Sequence, residues 1–403
     1  MAVSEISVIA TAQETAPTRE ELLERVRALG PALKERAQAS DDKRKLLDET
    51  VQEMKEVGLF RILQPRRWGG YELDLRTFYE VQMLLAEYDM SVGWVHGVVG
   101  VHAWQMGIFD DRAAQDVWGE DNSVLIASSY MPTAKLAPVD GGFRVSGRWR
   151  FSSGCNHAEW FFLGGILPPD EEGLTRPGTL LFPKADVRIL DTWDVAGLKG
   201  TGSHDVVVED AFLPAHRIHR HIDGFRCSSP GNAVNTGWLY KVPFFQAFLR
   251  AVSTSSIGAL QAMLNEFVAY GSGKVSAFAG KTAEDPTAQL VCGETAAAID
   301  EMRALMFRNF ENLRAYAERG ETPPVEERLR YKLQASEVAN RCALLAARLY
   351  RSSGGSGLFN DQPFARLLAN INAGRQHVVN QYELWGANYG ACLMGRENQD
   401  LAL

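Results

Sequence analysis

The chain has 403 residues, of which 46% are hydrophobic and 23% charged, and its formal net charge at pH 7 is -8. This composition is typical of a globular protein large enough for two or three domains. The negative charge, without a Lys/Arg-rich run, argues against a nucleic-acid partner, and no apolar run is long enough to predict a membrane span.

The N-terminal part of the chain is predicted to be helical. Residues 1–18 lack the basic and apolar segments of a signal peptide, so we expect a disordered tail. Over residues 19–122 apolar side chains recur three and four positions apart, which predicts a helical domain. Within it, the stretch VGVHAWQ places His102 on an otherwise apolar helix. Such a histidine is either a hydrogen-bonded core residue or a group that binds or deprotonates a ligand.

Residues 123–217 predict a central antiparallel β-domain, because short β-branched or aromatic runs alternate there with Gly, Pro and Asp. The Asp-Gly-Gly sequence at 140–142 predicts a hairpin turn. In FSSGCNHAEW, small polar residues follow a strand and have aromatic residues on both sides. This pattern is typical of a place where a flat ligand lies against a sheet, and the alternative is a serine-capped turn.

Residues 218–243 have no clear period and predict a long connecting loop or lid. No carboxylate pattern accompanies its histidines, so we expect solvated loop residues and no metal site at His216, His219 and His221. Several large side chains predict that part of the connection is buried: Phe225, Trp238, Leu239 and Tyr240.

Residues 244–403 return to the helical period and predict a C-terminal helical bundle. The order of helices, β-domain and helices defines an α+β fold that is mainly α. No GxGxxG follows a strand, which argues against a nicotinamide-binding Rossmann domain. The five scattered cysteines form no CxxC pair and predict free thiols, as expected in a reducing cytoplasm.

Together with the order of elements, the stretches DTWDVAGLKGTGSHDVVVEDAFLP and GGSGLFNDQPFARLL resemble the acyl-CoA dehydrogenase fold. Within that fold, VGVHAWQ, IASSYMP, FSSGCNHAEW and NAGRQHVVN resemble the oxygenase components of two-component flavin-dependent monooxygenases. The hydroxylases of a phenolic secosteroid and of 4-hydroxyphenylacetate are the most similar. The resemblance covers nearly the whole chain and implies a C-terminal four-helix bundle through which a homotetramer packs.

The resemblance also implies a reaction. Reduced FMN or FAD, a diffusible cosubstrate from a separate flavin reductase, would react with O2 to a C4a-hydroperoxyflavin that hydroxylates an aromatic substrate ortho to a phenolic hydroxyl. Indole or S- and N-oxygenation by the same intermediate stays open, as do an acyl-CoA dehydrogenase and a non-catalytic binding protein. Dehydrogenation needs a carboxylate base, and the two positions where relatives carry one hold Leu249 and Val378 here.

The resemblance assigns roles to individual residues. Ser153 would contact flavin N5, His102 and Ser128 (or Ser129) would meet the substrate hydroxyl, and His377 would lie across the ring, with Trp238 as a further substrate contact. The remaining cofactor contacts would come from Tyr130, Met131, Trp149, Phe151, Ser152, Gly354, Gly355, Ser356 and Gly357.

The motif around His377 departs from the family pattern. Relatives commonly show D-x-H-x-x-R-x-H, whereas this chain has Asn370, Asn372, Arg375 and His377. Amides therefore stand in place of the acid and of the first histidine, which predicts a different support for His377 and a different substrate.

Overall fold

A computed structural model describes residues 16–169, 173–273, 275–276, 280–400 and 402–403. The tail expected at residues 1–18 lies mostly outside this range, and Thr18 caps the first helix through a capping box with Glu21. The N-terminal helices are α1 (Arg19–Lys43), α2 (Asp48–Glu56), α3 (Leu75–Tyr88), α4 (Met90–Met106) and α5 (Asp111–Trp118).

Helix α4 is the central helix of this first layer. All its residues except Ala103 are buried, as expected of a helix that is apolar on every side. It begins at Asp89, whose side-chain oxygen accepts a hydrogen bond from the Ser91 backbone N–H at 2.8 Å. Because α4 packs on both the β-domain and α8 (Thr254–Gly273), its side chains reach the interior of the molecule from several directions.

The middle of the chain forms a seven-stranded sheet in the order β5-β6-β2-β1-β3-β4-β7. The strands are β1 (Ile126–Val139), β2 (Gly142–Ser152), β3 (Trp160–Leu167), β4 (Arg176–Pro183), β5 (Arg188–Leu190), β6 (His204–Pro214) and β7 (Ile218–Arg220). The predicted hairpin turn is confirmed, since Val139 pairs with Gly142 and Gly141 has a φ of +74°.

The prediction of a purely antiparallel sheet is wrong at one pair, because β1 and β3 run parallel. After β2 the chain crosses to the opposite edge of β1. Since β3 runs opposite to β2, it is parallel to β1. The connection that makes this crossing contains the Ser153-Gly154 turn, and Gly154 has a φ of +71°, which favours glycine. The motif noticed in the sequence is therefore the crossover between two halves of the sheet.

The connection over residues 218–243 is more regular than predicted. It contains β7, the short helix α6 (His221–Arg226) and 3-10 turns at Pro230–Ala233 and Trp238–Lys241. The prediction that His219 and His221 are solvated is wrong, because both are buried. His219 on β7 pairs with Thr179 of β4, and His221, the first residue of α6, has Nε2 2.8 Å from Thr179 Oγ1. His216 stays near the surface, with Nε2 2.8 Å from an Asp116 carboxylate oxygen.

The C-terminal part is a helical bundle in which α8, α9, α10 and α11 pack against one another. Its helices are α7 (Phe244–Phe248), α8, α9 (Pro286–Glu318), α10 (Val325–Ser353), α11 (Phe364–Arg375) and α12 (Tyr382–Leu393), with two short strands, β8 (Val275–Ser276) and β9 (Gly280–Lys281), before α9. The mainly helical α+β fold class is thus confirmed. In the described part of the chain, no helix has the length and apolar character needed to cross a bilayer.

Candidate active site

Of the predicted catalytic residues, His102 lies on helix α4, and Ser153 and His377 both contact Trp94 of the same helix. Trp94 and His102, eight residues apart, are separated by about 12 Å along the helix axis. Between them, Val95 and Val99 face the Ser153-Gly154 turn: a Cβ built on Gly154 would lie 3.1 Å and 3.0 Å from their methyl groups. The glycine therefore allows the crossover turn to pack closely on α4.

Ser153 is buried beside Trp94, at the N-terminal end of the α4 stretch that runs from Trp94 to His102. The indole Nε1–H of Trp94 donates to Ser153 Oγ at 3.1 Å, and Ser153 Oγ lies 2.7 Å from Ser203 Oγ. Ser153 directly follows β2 and Ser203 directly precedes β6, so α4 and the ends of two strands meet at this hydroxyl. Three fixed elements hold the Ser153 side chain, which suits a group that must orient a ligand.

His377 lies on the other side of Trp94, where the two rings pack edge to face with centroids 5.8 Å apart. Its Nδ1 accepts a hydrogen bond from the Val379 backbone N–H at 3.2 Å. In the neutral ring, the proton is therefore on Nε2, which makes that atom a donor. Burial lowers the pKa of His377, so the neutral form dominates near pH 7.

His102, at the C-terminal end of this stretch, has the tautomer opposite to that of His377. Its Nδ1 lies 2.6 Å from the Ile126 carbonyl oxygen, which can only accept, so Nδ1 carries the proton. Nε2 is a bare acceptor, buried and without a hydrogen-bond partner among the described residues. Burial lowers the pKa of His102 to about 4. The side chain is therefore a neutral acceptor, not the near-neutral base that its residue type suggested.

Aromatic rings enclose His102. Phe162 and Tyr130 meet it edge to face, with centroids 5.4 Å and 6.1 Å away, and Phe248 lies parallel to it at 6.4 Å. The Tyr130 hydroxyl donates to Gln105 Oε1, and Ser128 lies two residues before Tyr130 on β1. Substrate contact by Ser128 and cofactor contact by Tyr130 stay predictions.

Asn370, one of the two amides that depart from the family pattern, has a definite structural role. It is buried, and its Oδ1 accepts the Leu198 backbone N–H at 2.8 Å. Leu198 has a left-handed backbone with a φ of +54°, which an unsupported leucine rarely adopts. The amide therefore fixes the loop before Ser203 and leaves His377 without a charged partner from this position.

Other predicted cofactor residues lie at the end of β2 or beside it. Phe151 has a φ of +65° and an exposed ring that packs edge to face on Trp193. Trp149 points into the core of the sheet, where its Nε1 donates to the Gly164 carbonyl at 2.8 Å. Ser152 is buried, with no partner for its Oγ among the described residues, and Met131 is partly exposed. Cofactor contacts by these residues stay predictions.

The remaining predicted residues lie outside these clusters. Ser129 donates to the Arg150 carbonyl at 2.7 Å and so links β1 to β2. The ring of Trp238 packs under the Arg314 guanidinium of α9. Gly354, Gly355 and Ser356 form an exposed turn after α10, followed by the buried Gly357. Substrate contact by Trp238 and cofactor contact by the glycine turn stay predictions.

The sequence reasoning did not assign a role to Trp94, Thr201 or Ser203, all close to Ser153. The motif KGTGSHD contains Thr201 and Ser203, but nothing in its sequence indicates that their hydroxyls will contact the turn after β2. Trp94 stands eight residues before His102 on α4, and helical spacing was the one clue that could have linked them.

Comparisons with known proteins agree with the fold and with the family resemblance of the sequence. The family described as the acyl-CoA dehydrogenase C-terminal domain matches residues 251–382. The chain is 38% identical over 370 residues to "Flavin-dependent monooxygenase, oxygenase subunit HsaA" of Rhodococcus jostii (strain RHA1), covering 91% of this chain and 97% of the relative. It is 30% identical over 387 residues to the oxygenase component of an FADH(2)-dependent resorcinol hydroxylase of Rhizobium sp. (strain MTP-10005), covering 93% and 94%.

A solved structure has the same fold over the same length. The crystal structure of 3-HSA hydroxylase from Rhodococcus sp. RHA1 superposes with a TM-score of 0.90 at 36% identity, covering 95% of this chain and 99% of that one.

Proposed function

The chain belongs to the family of flavin-dependent monooxygenase oxygenase subunits, and on that premise we propose that it hydroxylates a phenol, with His102, Ser128 and His377 around the substrate and Ser153 at flavin N5. The observation that supports this most directly is the bare, buried Nε2 of His102. An unpartnered buried acceptor is costly, and a phenolic O–H supplies the missing hydrogen bond.

The pKa of His102 limits what it does. A phenol has a pKa of about 10, so full proton transfer to an imidazole with a pKa of about 4 is strongly uphill. His102 therefore acts as a hydrogen-bond acceptor that draws the phenolic proton and raises the electron density of the ring. Ser128, two residues before Tyr130 on β1, contacts the same substrate hydroxyl in this proposal.

His377 complements this acceptor with a donor. Its Nδ1 is occupied by the Val379 backbone N–H, so the neutral ring offers Nε2–H as a donor. In this proposal His102 accepts a hydrogen bond from the substrate hydroxyl and His377 donates one to an oxygen atom across the ring. No carboxylate stands at positions 249 or 378, which disfavours removal of a proton from a carbon atom.

The described residues fit a reduced flavin. Ser153 presents its hydroxyl at the end of β2, and Gly154 allows close approach to α4. The bound cofactor supplies the electrons that activate O2. We infer a diffusible cosubstrate, FMN or FAD, and a homotetramer packed through the bundle, as the family resemblance implies.

The first test asks whether turnover requires a separate flavin reductase. We expect no oxidation of NADH by the purified chain with flavin alone, because the sequence contains no nicotinamide-binding unit. Addition of a flavin reductase, or of flavin reduced chemically without NADH, is expected to give hydroxylated product from a phenol panel that includes resorcinol. Product chromatography is the measurement, and steady turnover with NADH and flavin alone would contradict the proposal.

The second prediction concerns coupling. Ser153→Ala is expected to increase the hydrogen peroxide released per reduced flavin oxidised, because the N5 hydrogen bond is lost. A loss of about 1–3 kcal/mol corresponds to roughly 10- to 100-fold faster unproductive oxidation. Cys155→Ala is the matched control: it alters a buried side chain of the same turn, whose thiol donates to the Gly202 carbonyl at 3.4 Å. Equal peroxide release by both variants would remove Ser153 from this role.

A further inference from the structure

A chain of hydroxyl groups leads from Ser153 into the loop before β6. Ser153 Oγ lies 2.7 Å from Ser203 Oγ, and Ser203 Oγ lies 2.7 Å from Thr201 Oγ1. Thr201 Oγ1 lies 2.8 Å from the Leu198 carbonyl oxygen. All three hydroxyl-bearing side chains are buried, so water does not compete for these hydrogen bonds.

The direction of each hydrogen bond in this series of hydroxyl groups follows from the Leu198 carbonyl at its end. A carbonyl oxygen only accepts, so the single hydroxyl hydrogen of Thr201 points to Leu198. Thr201 Oγ1 can then only accept from Ser203, which commits the hydrogen of Ser203. The short contact between Ser203 and Ser153 therefore requires Ser153 to donate.

Ser153 Oγ therefore has one hydrogen-bonding position left for a ligand. Its hydrogen points to Ser203, and one of its two lone pairs accepts the Trp94 indole N–H at 3.1 Å. Among the described residues no further donor contacts this oxygen, so its other lone pair is open to a ligand. Towards a ligand, Ser153 is consequently an acceptor and has no hydrogen to offer.

We propose that Thr201, Ser203 and Trp94 are specificity-determining residues that hold Ser153 as an acceptor and thereby make the site select reduced over oxidised flavin. Reduced flavin carries a hydrogen on N5, whereas oxidised flavin presents a lone pair there. The free lone pair of Ser153 accepts a hydrogen bond from N5–H of reduced flavin and repels the N5 lone pair of oxidised flavin. This inference rests on the proposed function, which places N5 at Ser153.

The test compares the affinities of the two redox states. Reduced and oxidised FMN and FAD are titrated anaerobically into the purified full chain, and each Kd is obtained from flavin absorbance or fluorescence. The readout is the ratio of the oxidised to the reduced Kd. Thr201→Val keeps the side-chain shape but removes the hydroxyl that fixes the direction of the Ser203 and Ser153 hydrogen bonds. Ser203 can then donate to Ser153, whose own hydrogen can turn to N5, and the ratio is expected to fall about tenfold.

Two further variants separate hydrogen-bond direction from packing. Ser203→Ala frees the Ser153 hydrogen by a different change and is expected to lower the ratio similarly. Thr201→Ser retains the hydroxyl while removing a methyl group, and is expected to keep the wild-type ratio. An unchanged ratio in Thr201→Val or Ser203→Ala, or an equal fall in Thr201→Ser, would overturn the inference. Failure of the wild type to bind reduced flavin would instead overturn the proposed function.

Discussion

Replacement of His102 by Asn is expected to reduce hydroxylation by roughly 10- to 100-fold, because the substrate loses a buried hydrogen bond of about 1–3 kcal/mol. The shorter amide cannot reach the position of the bare Nε2, so the phenol loses the acceptor that makes its ring electron-rich. Oxidation of reduced flavin by O2 should continue and release hydrogen peroxide. Rapid mixing of reduced enzyme and substrate with O2, followed by product and peroxide assays, measures both quantities.

The chain offers a close control for this variant. His96 lies on the same helix, is equally buried, hydrogen-bonds the Leu59 carbonyl through Nε2 at 3.1 Å, and leaves its other ring nitrogen unpartnered within the described residues. His96→Asn should therefore destabilise the fold to a similar degree while retaining coupled hydroxylation. Equal activity losses in the two variants would show that His102 is a core histidine. For His377→Ala we expect a smaller loss than for His102→Asn.

Stability is expected to fall steeply below pH 6.5, because several histidines are buried in the neutral form. Burial lowers the pKa values of His96, His102 and His221 to about 4 and that of His219 to about 3, from 6.5 in the unfolded chain. The unfolded state therefore binds more protons, so stability is present above pH 6.5 and is lost as the pH falls towards 4. Each such histidine contributes a loss of about 2 kcal/mol between neutral pH and about pH 5.

All four side chains shift stability in the same direction, so we expect a marked loss of stability between pH 7 and pH 5. Urea unfolding at several pH values measures the effect. His96→Asn should reduce the pH dependence by about 2 kcal/mol over the same interval. As a control, Phe78→Leu removes the ring stacked on His96 at 4.8 Å and should lower stability at every pH without changing the slope. A slope unaffected by His96→Asn would contradict this account.

The sequence by itself determined the order of the elements and the positions of the motifs. Helical and strand periods are local properties, so they predicted the helical layer, the sheet and the bundle correctly. The Asp140-Gly141 turn was equally readable, because turn chemistry depends on two or three adjacent residues. Resemblance to a family then attached roles to His102, Ser128, Ser153 and His377.

Local pattern was insufficient wherever a long-range contact decided the outcome. A polar run at 216–221 suggested solvent exposure, yet His219 on β7 and His221 at the start of α6 are both buried against Thr179 of β4. The parallel β1–β3 pair likewise depends on the side of β1 to which the chain returns.

The chemistry of the site was decided by tertiary structure as well. The tautomer of His102 is set by the Ile126 carbonyl, 24 residues away, and its low pKa by the surrounding burial. Ser153 became an acceptor because Ser203, 50 residues away, takes its hydrogen. Residue type fixes which protons a side chain owns, but only its neighbours in space fix where those protons point.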